Sequence, residues 1–542
     1  MMTSGILKNG RIHTQDESLP KATAVALSGD RIIGVGSDED MLALASGDSQ
    51  VIDLGGRCVT PGLVDAHVHF QGYSLGLNLI DLSGSVDLNE ALDRVAAAKQ
   101  QGAFDRWLTG RGWNQAEWPD GRFPRAADLD RASGALPALL KHKSGHAAWA
   151  NTRALRLAAI TAETLDPPGG QIQRDGDGQP TGILFESAID LVNDRIPRPS
   201  EAELVEAMKL GQQKCLEAGL TGVHDFDGRA CFGALQTLHQ EGALSLRIVK
   251  NIPVKYLDHA TGIGLHSGFG DDWLRIGGVK MFADGALGPR TATMLAPYEG
   301  EPENRGIVVT DKEEMMAYAS QACASGLSLT VHAIGDRANH DVLDVYEALR
   351  TQERERNVAH EPGATRGRLL RHRIEHFQIA HPTDFERLAA LEVVASMQPI
   401  HATSDMEMAD RYWGGRAKNS YAWRRVLQAG GILALGSDAP VEPIEPLTGI
   451  HAAITRQRPD GSPGPRGWYP EQRLSMAEAI HGFTLGPALA CGRETLLGSI
   501  TAGKLADLTI FEQDIYQIPA ADIVDVQIAG TIVGGQFKFR SW

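Results

Sequence analysis

The chain has few cysteines, no surplus of positive charge and no long apolar run, and each shortage removes a class of protein. Its five cysteines (Cys58, Cys215, Cys231, Cys323 and Cys491) are scattered through 542 residues, with no C-x-x-C pair. That spacing fits neither a disulfide framework nor a thiolate zinc site, so buried free thiols are expected. No stretch of about 18 apolar residues occurs, and no membrane span is expected. Residues 1–8 lack the basic start and apolar stretch of a signal peptide, which makes the cytoplasm the expected compartment. Lysine and arginine number 52 against 68 acidic residues, a net charge of −16 with no basic cluster. Nucleic acid is therefore not an expected partner. At 42% apolar and 22% charged residues, the composition is that of a globular protein with a large core.

What is present begins at residues 60–69, Thr-Pro-Gly-Leu-Val-Asp-Ala-His-Val-His. Thr-Pro-Gly is turn chemistry, and the apolar run after it reads as a short buried strand. The strand ends in His67 and His69. Strand side chains alternate, so both imidazoles face one way, with Cα atoms roughly 6.6 Å apart. Both can reach one metal ion, and Asp65 lies on the same face.

Residues 1–59 read as short strands and turns, including one strand over 6–12. Residues 498–504, 506–511, 523–528 and 531–539 read the same way. The expectation is one small β-sandwich built from both ends, 1–59 and 491–542. Between 60 and 490, strand-like and helical runs alternate. Strands are expected at 221–224, 246–252, 274–282, 327–332, 370–376, 393–397 and 432–435, with helices at 202–218, 311–325, 338–349 and 382–391. Repeated βα units of this length predict an α/β fold, a (β/α)8 TIM barrel. Residues 73–200 are too long for one βα loop and read as a subdomain inserted after the first barrel strand. Four of the nine tryptophans lie there: Trp107, Trp113, Trp118 and Trp149. Part of this cluster is expected to form its own core and part to roof the active site.

Further polar residues close the apolar runs: Lys280, His332, His376 and Asp438. Each falls at the C-terminal end of an expected barrel strand, the rim where barrel active sites are built. Singly, each has an ordinary structural explanation as a hydrogen-bonded, snorkelling or capping group. The order HxH, Lys, His, His, Asp is what carries information. His239, His259, His340 and His360 sit in helical, turn or loop contexts and read as structural or solvated.

This order resembles the amidohydrolase superfamily over nearly the whole chain. The wording at 60–69, 144–151 (SGHAAWAN), 279–291 (VKMFADGALGPRT), 331–338 (VHAIGDRA), 373–380 (RIEHFQIA), 396–405 (SMQPIHATSD) and 435–443 (LGSDAPVEP) is similar to the amidohydrolase family 3 type, which includes N-substituted formamide deformylases. The family more often carries serine where this chain has Ala286 and Pro289.

The resemblance implies that His67, His69 and Asp438 bind the more buried metal, and that His332 and His376 bind a second. Lys280, N-carboxylated, would bridge the two. The cofactor implied is a divalent metal, zinc by preference, two per chain if Lys280 is carboxylated and otherwise one. Coordination lowers the pKa of a bound water towards about 7, giving hydroxide at neutral pH. Asp438 would take the hydroxide proton and deliver it to the departing nitrogen. His146, Arg290, Gln398, His401 and Trp113 are candidate substrate contacts. Asp284 and Asp336 are candidates for fixing rim loops or orienting imidazoles. The expected activity is hydrolysis of a non-peptide C–N bond in a small molecule, an N-substituted formamide or N-acyl amine. A deaminase, cyclic amidase or esterase using the same site is the alternative, and a non-catalytic scaffold is the alternative of another class. A homodimer is the assembly the resemblance implies.

Overall fold

The computed structural model describes residues 3–101, 106–359 and 369–542, so His360 lies outside the described residues. The chain divides into two compact units, one of Ser74–Ala207 and one made of the rest.

The larger unit is built on eight parallel strands: β1 (Leu63–Val68), β2 (Leu220–Asp225), β3 (Arg247–Pro253), β4 (Leu274–Phe282), β5 (Leu329–Ala333), β6 (Arg373–His376), β7 (Val394–Met397) and β8 (Ile432–Leu435). Their order in the sheet is their order in the sequence. Beyond the strand ends, a parallel bridge between Val68 and Ala439 links β1 to the segment after β8 and brings the first and last strands together. Two backbone bonds hold this seam: Asp438 N–H to the His67 carbonyl at 2.7 Å and His69 N–H to the Ala439 carbonyl at 2.8 Å. The seam is what sets the HxH pair beside Asp438. Strands β2 and β7 are buried along their whole length, as parallel strands covered on both faces must be. The α/β barrel expected from the repeated βα units is therefore the observed fold.

Both ends of the chain build two further sheets in this unit. Leu508–Phe511 pairs antiparallel with Cys58–Pro61, joining the C-terminal strands to the N-terminal ones. Leu7, Val25, Ile52, Val59, Leu508, Ile510 and Ile532 share one buried cluster between them. Here the boundaries differ from expectation. The strand expected over 6–12 is two strands, Gly5–Lys8 and Arg11–His13, in different sheets. Asn9, at φ 56°, turns the chain between them. The run 531–539 is a hairpin of Ile528–Val533 and Gln536–Arg540, turned by Gly534 and Gly535 at φ 59° and 73°. Residues 523–525 end a 3-10 segment, Ala520–Asp525, Ile528 begins the hairpin strand, and 498–504 form turns rather than a strand.

The Ser74–Ala207 unit carries its own six-stranded sheet. Trp113, Trp118 and Trp149 pack with Leu108, Leu129 and Ile183 in its core. Among the described residues no helix is long and apolar enough to cross a membrane.

Candidate metal centre

Four imidazoles stand at the C-terminal ends of β1, β5 and β6, and each has one nitrogen already committed. His67 Nδ1 donates to Glu375 Oε2 at 2.6 Å. His69 Nδ1 donates to Asp227 Oδ1 at 3.2 Å. His332 Nε2 donates to the Gly285 carbonyl at 2.9 Å, and His376 Nδ1 to Gln398 Oε1 at 2.8 Å. An acceptor facing one ring nitrogen fixes the proton there and leaves the other nitrogen a lone pair. All four rings are thereby held in the form that ligates a cation. The rings also crowd together: His67 and His376 centroids are 4.9 Å apart, His332 and His376 4.7 Å.

The two carboxylate partners are themselves held. Asp227 accepts the backbone N–H groups of Gln71 and Gly72. Glu375 is clamped by Arg373, whose Nη2 also reaches the Ala66 carbonyl and Ser396 Oγ. Although burial opposes ionisation, Arg373 and His67 keep the Glu375 carboxyl far below its usual range. Burial lowers His67 to about 4 and His332 to about 3, so both are neutral.

Asp438 closes the group. It sits at φ 64°, a left-handed conformation that Asp tolerates better than most residues. Its Oδ1 lies 3.6 Å from His67 Nε2 and 3.4 Å from His69 Nε2, and its Oδ2 lies 3.4 Å from His401 Nε2. His67 Nε2, His401 Nε2 and Asp438 Oδ1 are buried polar atoms without hydrogen-bond partners. Hydrogen bonds of these types span about 2.7–3.2 Å. Two ligands on one edge of a tetrahedron, with bonds of about 2.0–2.2 Å, stand about 3.3–3.6 Å apart. The observed spacings are those of ligands around one shared cation, and this chemistry of nitrogen and carboxylate donors fits a divalent metal. The ligand atoms of His67, His69 and Asp438 lie within 4.8 Å of one another, as do those of His376, His401 and Asp438.

Asp65 shares the strand but not this cluster. It accepts His67 N–H, Ser437 N–H and Ser437 Oγ–H, tying β1 to the segment that carries Asp438. Lys280 is buried on β4, with Nζ 4.7 Å from the Phe226 ring and 4.8 Å from that of Phe282. Burial, against the attraction of Glu375 and Asp438, lowers its pKa to about 8. Asp284 accepts the backbone N–H groups of Thr293, Ile334 and Gly335, and Asp336 that of Leu295, so both brace rim loops.

Some expected substrate contacts are placed differently. Trp113 is fully buried in the Ser74–Ala207 unit, its indole N–H bonded to the Leu140 carbonyl; its bulk belongs to that core. Gln398 orients His376 through its oxygen and so acts on the site through an imidazole. Arg290 pairs with Glu301 and lies over Tyr412. His146 is exposed on its own unit beside Glu186. Glu375, Asp227 and Arg373 are the site residues that the sequence reading passed over. The signal for the first two was local: each is an acidic residue within two positions of a strand end that carries histidine.

A parallel eight-stranded barrel that gathers imidazoles and a carboxylate at one rim is the architecture of a metal-dependent hydrolase. The chain belongs to the amidohydrolase family, whose profile matches residues 50–539. It is 33% identical to the protein LONG AFTER FAR-RED 3 of Arabidopsis thaliana over 98% of this chain and 91% of that one. It is 31% identical to the putative amidohydrolase YtcJ of Bacillus subtilis, covering 99% of each. The N-substituted formamide deformylase of Arthrobacter pascens is 28% identical, over 98% of this chain and 97% of that one. Among solved structures, a metal-dependent hydrolase from Pyrococcus furiosus is similar at TM-score 0.78 and 28% identity, covering 95% of this chain and all of that one.

Proposed function

We propose that the protein hydrolyses a non-peptide C–N bond of a small amide, an N-substituted formamide or N-acyl amine, with a divalent metal, zinc by preference, held by His67, His69 and Asp438. The observation that carries this reading is the set of partnerless buried atoms His67 Nε2 and Asp438 Oδ1, separated by 3.6 Å. A cation held there lowers the pKa of a coordinated water towards about 7 and polarises a substrate carbonyl. The chain supplies the rest. Glu375 and Asp227 keep the lone pairs of His67 and His69 aimed at one point. Asp438 lies among these imidazoles, and despite its burial its carboxyl is held well below the usual carboxylate range. As a carboxylate at the rim, Asp438 takes the proton of the attacking water and delivers it to the departing nitrogen, without which an amine leaves poorly. Lys280, with its pKa lowered to about 8, offers an appreciable fraction of uncharged amine near neutral pH, the form that takes up carbon dioxide to become a carbamate.

The substrate class rests on the relative named N-substituted formamide deformylase. The test is a panel of N-formyl and N-acetyl amines, with aliphatic and aryl amines, assayed for released amine with zinc-loaded enzyme. Release of amine from some members, lost in Asp438→Asn, is expected. Turnover only of cyclic amides, esters or amino-substituted rings would replace the substrate class and keep the site.

A further inference from the structure

The centre contains a fifth imidazole that the HxH, Lys, His, His, Asp order leaves out. His401 stands in the first turn of the helix Pro399–Trp413, directly after β7. Its side chain is largely buried, and its Nε2 has no hydrogen-bond partner. That nitrogen lies 3.4 Å from Asp438 Oδ2, beyond hydrogen-bond range and at the spacing of two ligands on a tetrahedral edge. Its Nδ1 faces Glu442 Oε1 at 3.9 Å, so the ring has an acidic group on the side away from the centre.

The two oxygens of Asp438 therefore serve different neighbours. Oδ1 faces His67 and His69, whereas Oδ2 faces His401. His376, whose Nδ1 is committed to Gln398, completes the second set: the ligand atoms of His376, His401 and Asp438 lie within 4.8 Å of one another.

We propose that His401 is a metal ligand: with His376 and Asp438 Oδ2 it forms a second cation cradle, and Asp438 bridges the two. This rests on the reading of the centre as a metal site. It adds a ligand from the β7 rim, and it gives the second ion protein donors that do not depend on carboxylation of Lys280.

Cobalt(II) titration of chelator-stripped protein tests it, following visible absorption and ions bound per chain at equilibrium. The variants are His401→Ala, His401→Gln and Lys280→Ala, each checked by circular dichroism and melting. Wild type is expected to take up two cobalt ions. In both His401 variants the second should weaken by more than about 100-fold, exceeding the loss typical of an outer-shell partner, and the cobalt spectrum should change, while the first ion stays. Lys280→Ala should retain binding at the second site. Folded His401 variants that bind two ions with wild-type affinity and spectrum would overturn the assignment, as would a wild type that binds only one. A wild type that binds no cobalt would overturn the metal reading itself, which separates the two failures.

Discussion

His67 Nδ1 and Glu375 Oε2 meet at 2.6 Å from strands β1 and β6, which are 308 residues apart in sequence. The contact joins the first metal-facing imidazole to a carboxylate that Arg373 clamps from behind. Glu375→Ala removes the group that holds the His67 tautomer, so metal affinity should fall about 10–100-fold. It also leaves the Arg373 guanidinium in the interior without its carboxylate, at a cost of about 3–5 kcal/mol. Glu375→Gln, which keeps an acceptor oxygen, should lose less of both. Competition with a coloured chelator and thermal unfolding measure the two effects separately; unchanged metal affinity in Glu375→Ala would contradict the orienting role.

Gly436 is where the β1–β8 seam has no room. A Cβ there would lie 2.5 Å from Asp65 Oδ1 and 2.7 Å from the His67 backbone nitrogen. Gly436→Ala must push apart Asp65, His67 and the segment that carries Asp438. Activity and metal binding should drop at least tenfold, with the far-ultraviolet circular dichroism retained. Wild-type metal binding in this variant would show that the seam does not set the ligand geometry.

Arg247 at the start of β3 and Asp507 before the strand Leu508–Phe511 form a buried two-point ion pair, with Nη2 to Oδ1 at 2.8 Å. Asp507 also accepts the Gly534 N–H. Asp507→Ala should destabilise the fold by about 3–5 kcal/mol by stranding a charge, whereas the apolar pair Arg247→Met with Asp507→Leu should recover much of that. Melting temperatures of the two variants decide this: a single variant as stable as wild type would remove the pair from the account.

His372 tests the pH dependence of stability away from the metal centre. Its Nδ1 accepts the Leu329 N–H at 3.1 Å and its Nε2 faces Glu353 at 2.9 Å. Burial lowers its pKa despite Glu353, so the folded ring stays neutral where the unfolded one gains a proton. The unfolded state then binds more protons below its ordinary value of 6.5, and the sign follows. Stability from this group is complete above that pH and is lost as the pH falls towards the folded value. Deuterium exchange at the ring C2, read by mass spectrometry, should place the His372 midpoint below 6.5. A midpoint at or above it would contradict the neutral, hydrogen-bonded ring.

The barrel and the residues at its rim could be read from the chain because strand alternation and apolar runs are local signals. His67 and His69 are two residues apart, and His332, His376 and Asp438 each end or follow an apolar run. What could not be read is pairing at a distance. Glu375 looks like a neighbour of His376 in sequence, yet its partner is His67. Gln398 and His401 share one short rim segment, yet one turns to His376 and the other to Asp438. Trp113 carries no local mark that separates a core indole from a pocket wall; only the packing of Trp118, Trp149 and Leu140 around it does. Within the terminal sheets, Asn9 and Gly534 redirect the chain inside runs whose hydrophobicity alone reads as continuous strand.

The most direct test of the centre is metal content per chain, by plasma mass spectrometry, on protein purified without added metal, for wild type and His67→Ala. At least one divalent ion per chain in wild type, and one fewer in the folded variant, is the predicted result. No bound metal in wild type, even after reconstitution with zinc and bicarbonate, would contradict the account.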